Sequence, residues 1–585
     1  MAAPKRHGGR SPRAAAAALC LALLPAVGLA LDPYIDPTRP STRPPQLPRT
    51  GEPRTDDRLT VPAPPQEPEP PAAAAGTVRV DRVVFEGNRV IPEQELQELA
   101  RPFLHRALTA EALERLRYRV SLYYVKKGYI NSGALIPEQT VDAGVLRLKV
   151  VEGRLSSVNV KGQGWLRPEY IAGRLQGDED EALNTHELQD RYIRMLNDPL
   201  VERLNGTLLP GVHPGEAILD LRVVRARPWG GYLAMDNAST PYVDSYTGRF
   251  GAWLRNASGF GDRIDFNYSI SGGANSYNTG FEIPLNRWGT SLAFRYTDSE
   301  TTLMNLPDEN SFFSRLLNHI VGYDAQLSHP IWLTGNDKLT LGINFGVRID
   351  EPLNRITGRP DSTLGFERNE ETVLRVWQDY LHQGDGFDLA LRSTFSTGLD
   401  LLDATVPRPE DQSDVSLKED PRFFAWLGQG VGRYRLLENG AYLALSSAVQ
   451  VTNDHLLGLE RMAIGGMNSV RGFRQNFMVK DEAFYSSLEL AYPLFGAGTP
   501  HSLFLVPFMD YGGGWNQGEK GEFIHSAGIG LEYTWSTLSA TFYWAGRING
   551  SRLPRDVLAF QNPDYKTPYD AQDNGLHFQV NWRIP

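Results

Sequence analysis

Cysteine is nearly absent: the 585 residues hold one, Cys20, and it lies within an N-terminal segment of leader character. Disulfide scaffolding and thiolate chemistry therefore have no place in the mature chain. Catalytic signatures are missing too. No Gly-x-Ser-x-Gly, no His-x3-His, no nucleotide-binding loop and no His/carboxylate cluster at ligand spacing occurs. His501-Ser502 and His525-Ser526 are neighbours, but neighbours on a strand face opposite ways. Gly428, Gly430 and Gly432 alternate as a small-residue stripe rather than a dinucleotide loop. Basic charge is also in deficit, with a net charge of −10 and four basic residues spent in the first thirteen positions. A general nucleic-acid binder is disfavoured. Beyond the leader, no apolar run is long enough for a membrane helix.

What is present begins with that leader, Met1 to Ala30. Lys5, Arg6, Arg10 and Arg13 precede an apolar core from Ala14 to Leu24, and Gly28 and Ala30 suit a cleavage site. Pro25 and Gly28 interrupt the run and argue against an uncleaved anchor. Leu19 occupies the place where lipidation of Cys20 would want a small residue. Leu31 to about Gly76 then carries thirteen prolines. Such a segment buries no core and is expected to be an extended, semi-rigid tether.

From Thr77 the pattern becomes α/β and occurs twice. A strand over Val78 to Phe85 ends at the turn Glu86-Gly87-Asn88. Pro92 opens one helix, and a second follows from Thr109 with Leu113, Leu116, Val120 and Tyr124 on one face. Strands near Gly133 to Pro137 and Val145 to Glu152 close the unit. The second copy reads as a strand at Ser157 to Val160 and helices near Glu169 to Leu175 and His186 to Leu196. Its closing strands fall near Asn205 to Leu209 and Glu216 to Val224.

Beyond Pro228 the period changes to two. Leu576, Phe578, Val580, Trp582 and Ile584 alternate with His577, Gln579, Asn581 and Arg583. Ile264, Phe266, Tyr268 and Ile270 alternate with Arg263, Asp265, Asn267 and Ser269. A soluble sandwich has the same period. A membrane barrel is favoured by the leader, by aromatics at strand ends and by about sixteen strands that fit between 229 and 584. Short connections such as Asn286-Arg287 alternate with long ones at 299–316, 399–420, 453–482 and 549–574.

The gap at 453–482 holds Ile464-Gly465-Gly466-Met467-Asn468-Ser469-Val470-Arg471-Gly472-Phe473, and Phe508-Met509-Asp510-Tyr511-Gly512 stands one strand further on. Val-Arg-Gly-Phe followed by a Phe-x-Asp-x-Gly strand resembles the outer-membrane transporters of two-partner secretion, the hemolysin/adhesin secretion-activation family within the POTRA-barrel superfamily. Lys127-Gly128-Tyr129, Pro137-x-Gln139, Val151-Glu152-Gly153, Leu209-Pro210-Gly211 and Pro214-Gly215 resemble the family's POTRA domains.

The resemblance covers residues 77 to 585 and implies a sixteen-stranded transmembrane β-barrel with two N-terminal α/β POTRA domains. Its boundaries are 77–153 and 154–227 for the POTRA domains and 228–585 for the barrel. It implies that loop 453–482 folds inward and that Arg471 pairs with Asp510 on the wall, supported by Val470, Gly472, Phe473, Phe508 and Gly512. The implied work is moving an unfolded β-helical exoprotein from periplasm to surface, driven by its folding outside. The implied partners are that exoprotein, outer-membrane lipid and the outer-membrane assembly machinery, with no nucleic acid and no cofactor. A related insertase and an outer-membrane enzyme are the alternatives; insertases commonly carry more than two POTRA domains. Two departures stand out. The family commonly has a plug helix before the first POTRA domain, and no amphipathic stretch of helical period occurs between 31 and 76. The chain also ends in Ile584-Pro585 rather than on an aromatic, with Trp582 as the substitute.

Overall fold

The computed structural model describes residues 47, 59–62, 76–178, 181–302, 316–354, 359–360, 368–406, 420–550 and 570–584. The leader lies outside them, as does the stretch where a plug helix was sought apart from residues 47, 59–62 and 76. The described residues form two compact units, one around Pro53–Pro228 with Asn256–Gly261, the other around Trp229–Arg255 and Asp262–Pro585 with the segment up to Glu52. No described helix is long and apolar enough to cross a membrane, which says nothing of strands.

The first unit holds the two α/β repeats. After β1 (Leu59–Thr60) come β2 (Thr77–Val80) and β3 (Arg82–Glu86), where a single strand was expected. Burial explains the split. Val80, Val83 and Phe85 all face the core, yet Val80 and Val83 are three residues apart, and an unbroken strand shows alternate residues to one face. Asp81 resets the phase by donating its N–H to the carbonyl of Gly144, 2.8 Å away. β2 then pairs with β4 (Arg106–Thr109), an element the periodicity did not reveal.

Helix α1 (Glu93–Ala100) and α2 (Ala110–Lys126) follow, then β5 (Gly133–Leu135) and β6 (Val145–Val151). Thr109 caps α2, its hydroxyl accepting from the N–H of Ala112 at 3.2 Å. Leu116, Val120 and Tyr124 are buried at four-residue spacing, as their pattern implied. The second repeat comprises β7 (Arg154–Lys161), α3 (Pro168–Leu175), α4 (Thr185–Leu196), β8 (Val201–Pro210) and β9 (Glu216–Arg225). Its core gathers Ile171, Leu175, Leu188, Leu204 and Leu219.

The glycine-bearing motifs lock the repeats together. The carbonyl of Gly128 accepts from Thr185 N–H at 2.9 Å and from its hydroxyl at 3.0 Å. Leu183 N–H donates to the Gly153 carbonyl at 2.7 Å, and Asn131 Nδ2 donates to Gly215 at 2.8 Å. Four donors, two of them side chains, thus reach backbone carbonyls of the other repeat, and the two repeats form one compact unit.

The tether was expected to be free along its length, and at two places it is not. Leu59 and Thr60 pair in parallel with Gly206 and Thr207 on the edge of β8, giving a sheet ordered β1-β8-β9-β7. Leu59 packs on the core of the second repeat. Leu47, in the other unit, is buried against Ala390 and Val431. Both leucines are aliphatic positions in a polar, proline-rich segment, and removing such side chains from water is favourable. Residues 58 to 61 are also a stretch without proline, so their N–H groups can join a ladder.

The second unit is a closed barrel. Its strands are β10 (Trp229–Asp236), β11 (Thr247–Arg255), β12 (Arg263–Ile270), β13 (Ala274–Pro284), β14 (Ser291–Thr302) and β15 (Leu316–Leu333). They continue through β16 (Asp337–Asn354), the two-residue β17 (Arg359–Pro360), β18 (Asn369–Gln383), β19 (Phe387–Leu399), β20 (Phe424–Arg435) and β21 (Tyr442–Thr452). A small hairpin, β22 (Met462–Ile464) with β23 (Met478–Lys480), forms a two-stranded sheet of its own, outside the barrel's ladder. β24 (Glu482–Phe495), β25 (His501–Trp515), β26 (Glu522–Trp535), β27 (Leu538–Arg547) and β28 (Leu576–Ile584) complete it. Sixteen long antiparallel strands close when β28 pairs with β10, from Gly231↔Ile584 to Asp236↔Gln579.

Closure decides between sandwich and membrane barrel. The large apolar side chains point outward and are exposed: Val580 and Trp582 on β28, Ile529 and Leu531 on β26, Ile264 and Phe266 on β12. Their polar neighbours His577, Asn581, Ser526 and Glu532 are buried inside. A soluble sandwich would have the two faces reversed; lipid outside and a polar lumen require this arrangement. Exposed Trp229, Trp288, Trp332 and Trp535 all lie at the end with the short turns, where an interfacial aromatic girdle belongs.

Candidate functional site: the inward loop and its wall

The chain between β21 and β24, Asn453 to Asp481, returns into the barrel. Its apolar residues Met462, Ile464, Val470, Phe473, Phe477 and Met478 pack on Ala448, Ala483, Tyr485 and Ile524 of the wall. This is a small hydrophobic core within a polar lumen. It fixes the loop before any charge is considered, because each of these side chains would otherwise face water.

The tip carries the expected pair. Arg471 Nε donates to Asp510 Oδ2 at 2.8 Å and Nη2 to Oδ1 at 2.7 Å, a two-pronged contact. The backbone N–H of Arg471 also donates to Oδ2, at 2.9 Å. Both side chains are almost fully excluded from solvent, at 3% and 0% exposure, so the pair is far from the surface case in which ion pairs matter little. Val470, Gly472, Phe473, Phe508 and Gly512 surround it. The Phe508 ring lies 3.5 Å from the guanidinium, and Phe473 meets Phe477 edge-on at 5.0 Å.

The two motif glycines create the space. Gly472 has φ +88°, and a Cβ there would stand 3.1 Å from the Cβ of Ala545. A Cβ at Gly512 would come within 2.8 Å of Val470 Cγ2.

Several members of the site were not identified from sequence. Glu489 accepts from Arg471 Nη1 at 2.6 Å, and Ser487 Oγ accepts from Nη2 at 2.7 Å. Ser487 stands directly opposite Asp510 in the ladder, and Glu489 opposite Phe508. Alternation along β24 puts 487 and 489 on one face, so the face was readable; the register was not. Tyr543 supplies a second ring, 4.7 Å from the guanidinium. His577 Nε2 accepts from the Gly472 N–H at 3.0 Å, which fixes the imidazole as the Nδ1-protonated tautomer. Arg547 donates to the Gly472 carbonyl. One turn on, Arg474 grips Asp573 through two bonds of 2.8 and 2.7 Å.

The arrangement performs no bond chemistry. It holds a loop of about thirty residues inside the barrel by a small apolar core and a few buried charged contacts.

Comparison with known proteins speaks to the family and the fold. The family model described as haemolysin secretion/activation protein ShlB/FhaC/HecB matches residues 215–533, more than half of the chain, and the model for the POTRA domain, ShlB-type, matches 78–153. The outer membrane transporter CdiB of Escherichia coli O6:K15:H31 (strain 536) is 24% identical over 526 residues, 88% of this chain and 84% of that protein. The solved structure of CdiB from Escherichia coli has a TM-score of 0.65 at 20% identity, covering 88% of this chain and 92% of that one. CdiB from Acinetobacter baumannii gives 0.60 at 16% identity, over 88% and 91%. At these identities the structures speak to fold alone. The barrel and the POTRA match place the chain in the outer membrane with its POTRA region in the periplasm, as a transporter rather than an enzyme. The chain belongs to the haemolysin secretion/activation family ShlB/FhaC/HecB, the outer-membrane transporters of two-partner secretion.

Proposed function

We propose that the barrel passes an unfolded exoprotein of the hemolysin or adhesin type, with a β-helical fold once outside, from periplasm to cell surface. Folding of the exoprotein outside supplies the drive, and no nucleotide is consumed. Residues 77–153 and 154–227 act as POTRA domains that receive the client, and 228–585 is the pore, delivered to the membrane by the outer-membrane assembly machinery. Arg471 and Asp510 hold the inward loop in its resting place.

The observation that carries this reading is a polar lumen occupied by a loop whose buried tip is pinned to the wall through Arg471. Reconstituted with its exoprotein in nucleotide-free proteoliposomes, the full chain is expected to deliver that exoprotein across the bilayer. An exoprotein left entirely on the POTRA side, with a correctly assembled barrel, overturns the proposal.

Client capture by strand addition adds a condition. An extended segment pairing with β8 competes with Leu59 and Thr60, which already occupy that edge. Two residues of pairing contribute modestly, at ~0.5–1.5 kcal/mol per hydrogen bond. The double substitution Leu59→Pro and Thr60→Pro is therefore expected to tighten binding of the exoprotein's N-terminal segment, on the order of tenfold by titration. Weaker binding, or none of the change, would place capture elsewhere than β8.

A further inference from the structure

The motif residues explain how the tip of the inward loop is held, and they leave its root unexplained. Glu460 stands at that root, two residues before β22, and is buried. Its carboxylate reaches away from Asp510, to the strands on the other side of the lumen. There it accepts from Arg348 Nη1 on β16 at 3.3 Å and from Arg375 Nη2 on β18. The backbone near it is tied as well, since Gln450 Nε2 on β21 donates to the carbonyls of Glu460 at 2.9 Å and Asp481 at 3.1 Å.

The two arginines depend on Glu460 to different degrees. Arg348 has other counter-charges: Glu371, opposite it in the ladder and 3.5 Å away, and Asp324 at 4.0 Å. Arg375 has hydrogen bonds to nothing but Glu460 among the described residues, and its Nε and Nη1 are buried without partners. Asp324 and Glu371 act on Arg375 only through space, so breaking its one hydrogen-bonded carboxylate contact is costly for a buried guanidinium. The wall at Arg375 thus holds the loop's root as the wall at Asp510 holds its tip.

We propose that Glu460 is a second anchor of the inward loop: a positioning residue that ties the loop's root to Arg375 and Arg348 and makes the loop a brace across the lumen. Anchored at the tip alone, the loop could pivot about the ends of β21 and β24. Anchored on both sides, it stays put until both contacts break. Clearing the pore then requires release at Glu460 as well as at Arg471. The inference rests on the loop being the obstruction to transport, but its test needs no client.

The test uses the full chain in outer membranes with Cys20→Ser, so that an introduced cysteine is the sole thiol. Ser469→Cys beside the tip is buried in the resting loop, and its reaction with a membrane-impermeant maleimide reports exposure of that tip. Glu460→Gln is expected to speed labelling about fivefold or more, Arg375→Gln to act in the same direction but less, since Arg348 still holds Glu460, and the two together to do no more than Glu460→Gln alone. Arg471→Ala, which frees the tip directly, is the positive control. Heat-modifiable migration checks barrel assembly, and the double variant, which removes both charges together, remains informative if either single one assembles poorly. Labelling at the unmodified rate in that double variant, while Arg471→Ala accelerates it, overturns the proposal. So does full multiplication of the two single effects. Failure of client delivery with accelerated labelling would count against the transport reading and leave the anchor standing.

Discussion

Arg471→Ala is expected to abolish most surface delivery of the exoprotein while the barrel still assembles. The guanidinium engages Asp510 twice, Glu489 once and Ser487 once, and lies over the Phe508 ring with Tyr543 beside it. Removing it leaves two carboxylates buried or nearly so, without their cation. Breaking a buried pair from one side typically costs ~3–5 kcal/mol, enough to shift the docked loop's population by a factor on the order of 10² or more. Asp510→Ala should act in the same direction but less completely, because Glu489 and Ser487 keep two of the donors occupied. The double variant should be little worse than Arg471→Ala. Lysine at 471 should rescue poorly: an ammonium cannot bridge Asp510, Glu489 and Ser487 in one plane, nor lie flat over the Phe508 ring. Secretion assayed beside heat-modifiable barrel migration checks this. Additive losses from Arg471→Ala and Asp510→Ala would sink the coupling.

Gly512→Leu is expected to be nearly as damaging, through shape alone. Its first added carbon would sit 2.8 Å from Val470 Cγ2 and 3.1 Å from Ile464 Cγ2, so the wall would push directly on the loop's apolar core. Overpacking of this kind costs ~1–3 kcal/mol or more. The loop should yield rather than the strand, because β25 is hydrogen-bonded to β24 and β26 on both sides. Planar-bilayer recordings should then show a larger mean conductance, with secretion reduced. Gly512→Ala should be milder, and Val470→Ala, which removes the atom it strikes, should relieve it. Conductance and secretion both unchanged in Gly512→Leu would mean that tip and wall do not pack tightly in the membrane.

The legible parts of this protein are those written in contiguous residues. The α2 face, Leu116, Val120 and Tyr124, follows from helical spacing, and Arg471 and Asp510 from two short motifs whose residues touch through a single loop return. The break at Asp81 was legible in principle, since Val80 and Val83 are an odd number of positions apart. Glu489 was half legible: alternation assigns its face on β24, but which residue of β25 it meets depends on register.

Other features lie beyond any single-stretch reading. Glu460 meets Arg348 and Arg375 from residues 112 and 85 positions away, and nothing local to Glu460 names them. The seating of Leu59 on β8 joins a proline-rich tether to a sheet edge some 147 positions along the chain. A soluble sandwich and a membrane barrel share one period of two. By itself the sequence determined most of the secondary structure and the repeat order, because those rest on backbone geometry and on neighbours a few residues apart, while the Arg471–Asp510 pairing was read from the resemblance of two motifs to a family. Tertiary structure alone decided which face of the strands is inside, which carboxylates meet Arg471 and where the loop's root is tied. Each of those depends on the sheet closing upon itself, and closure sets register between strands that no local pattern connects.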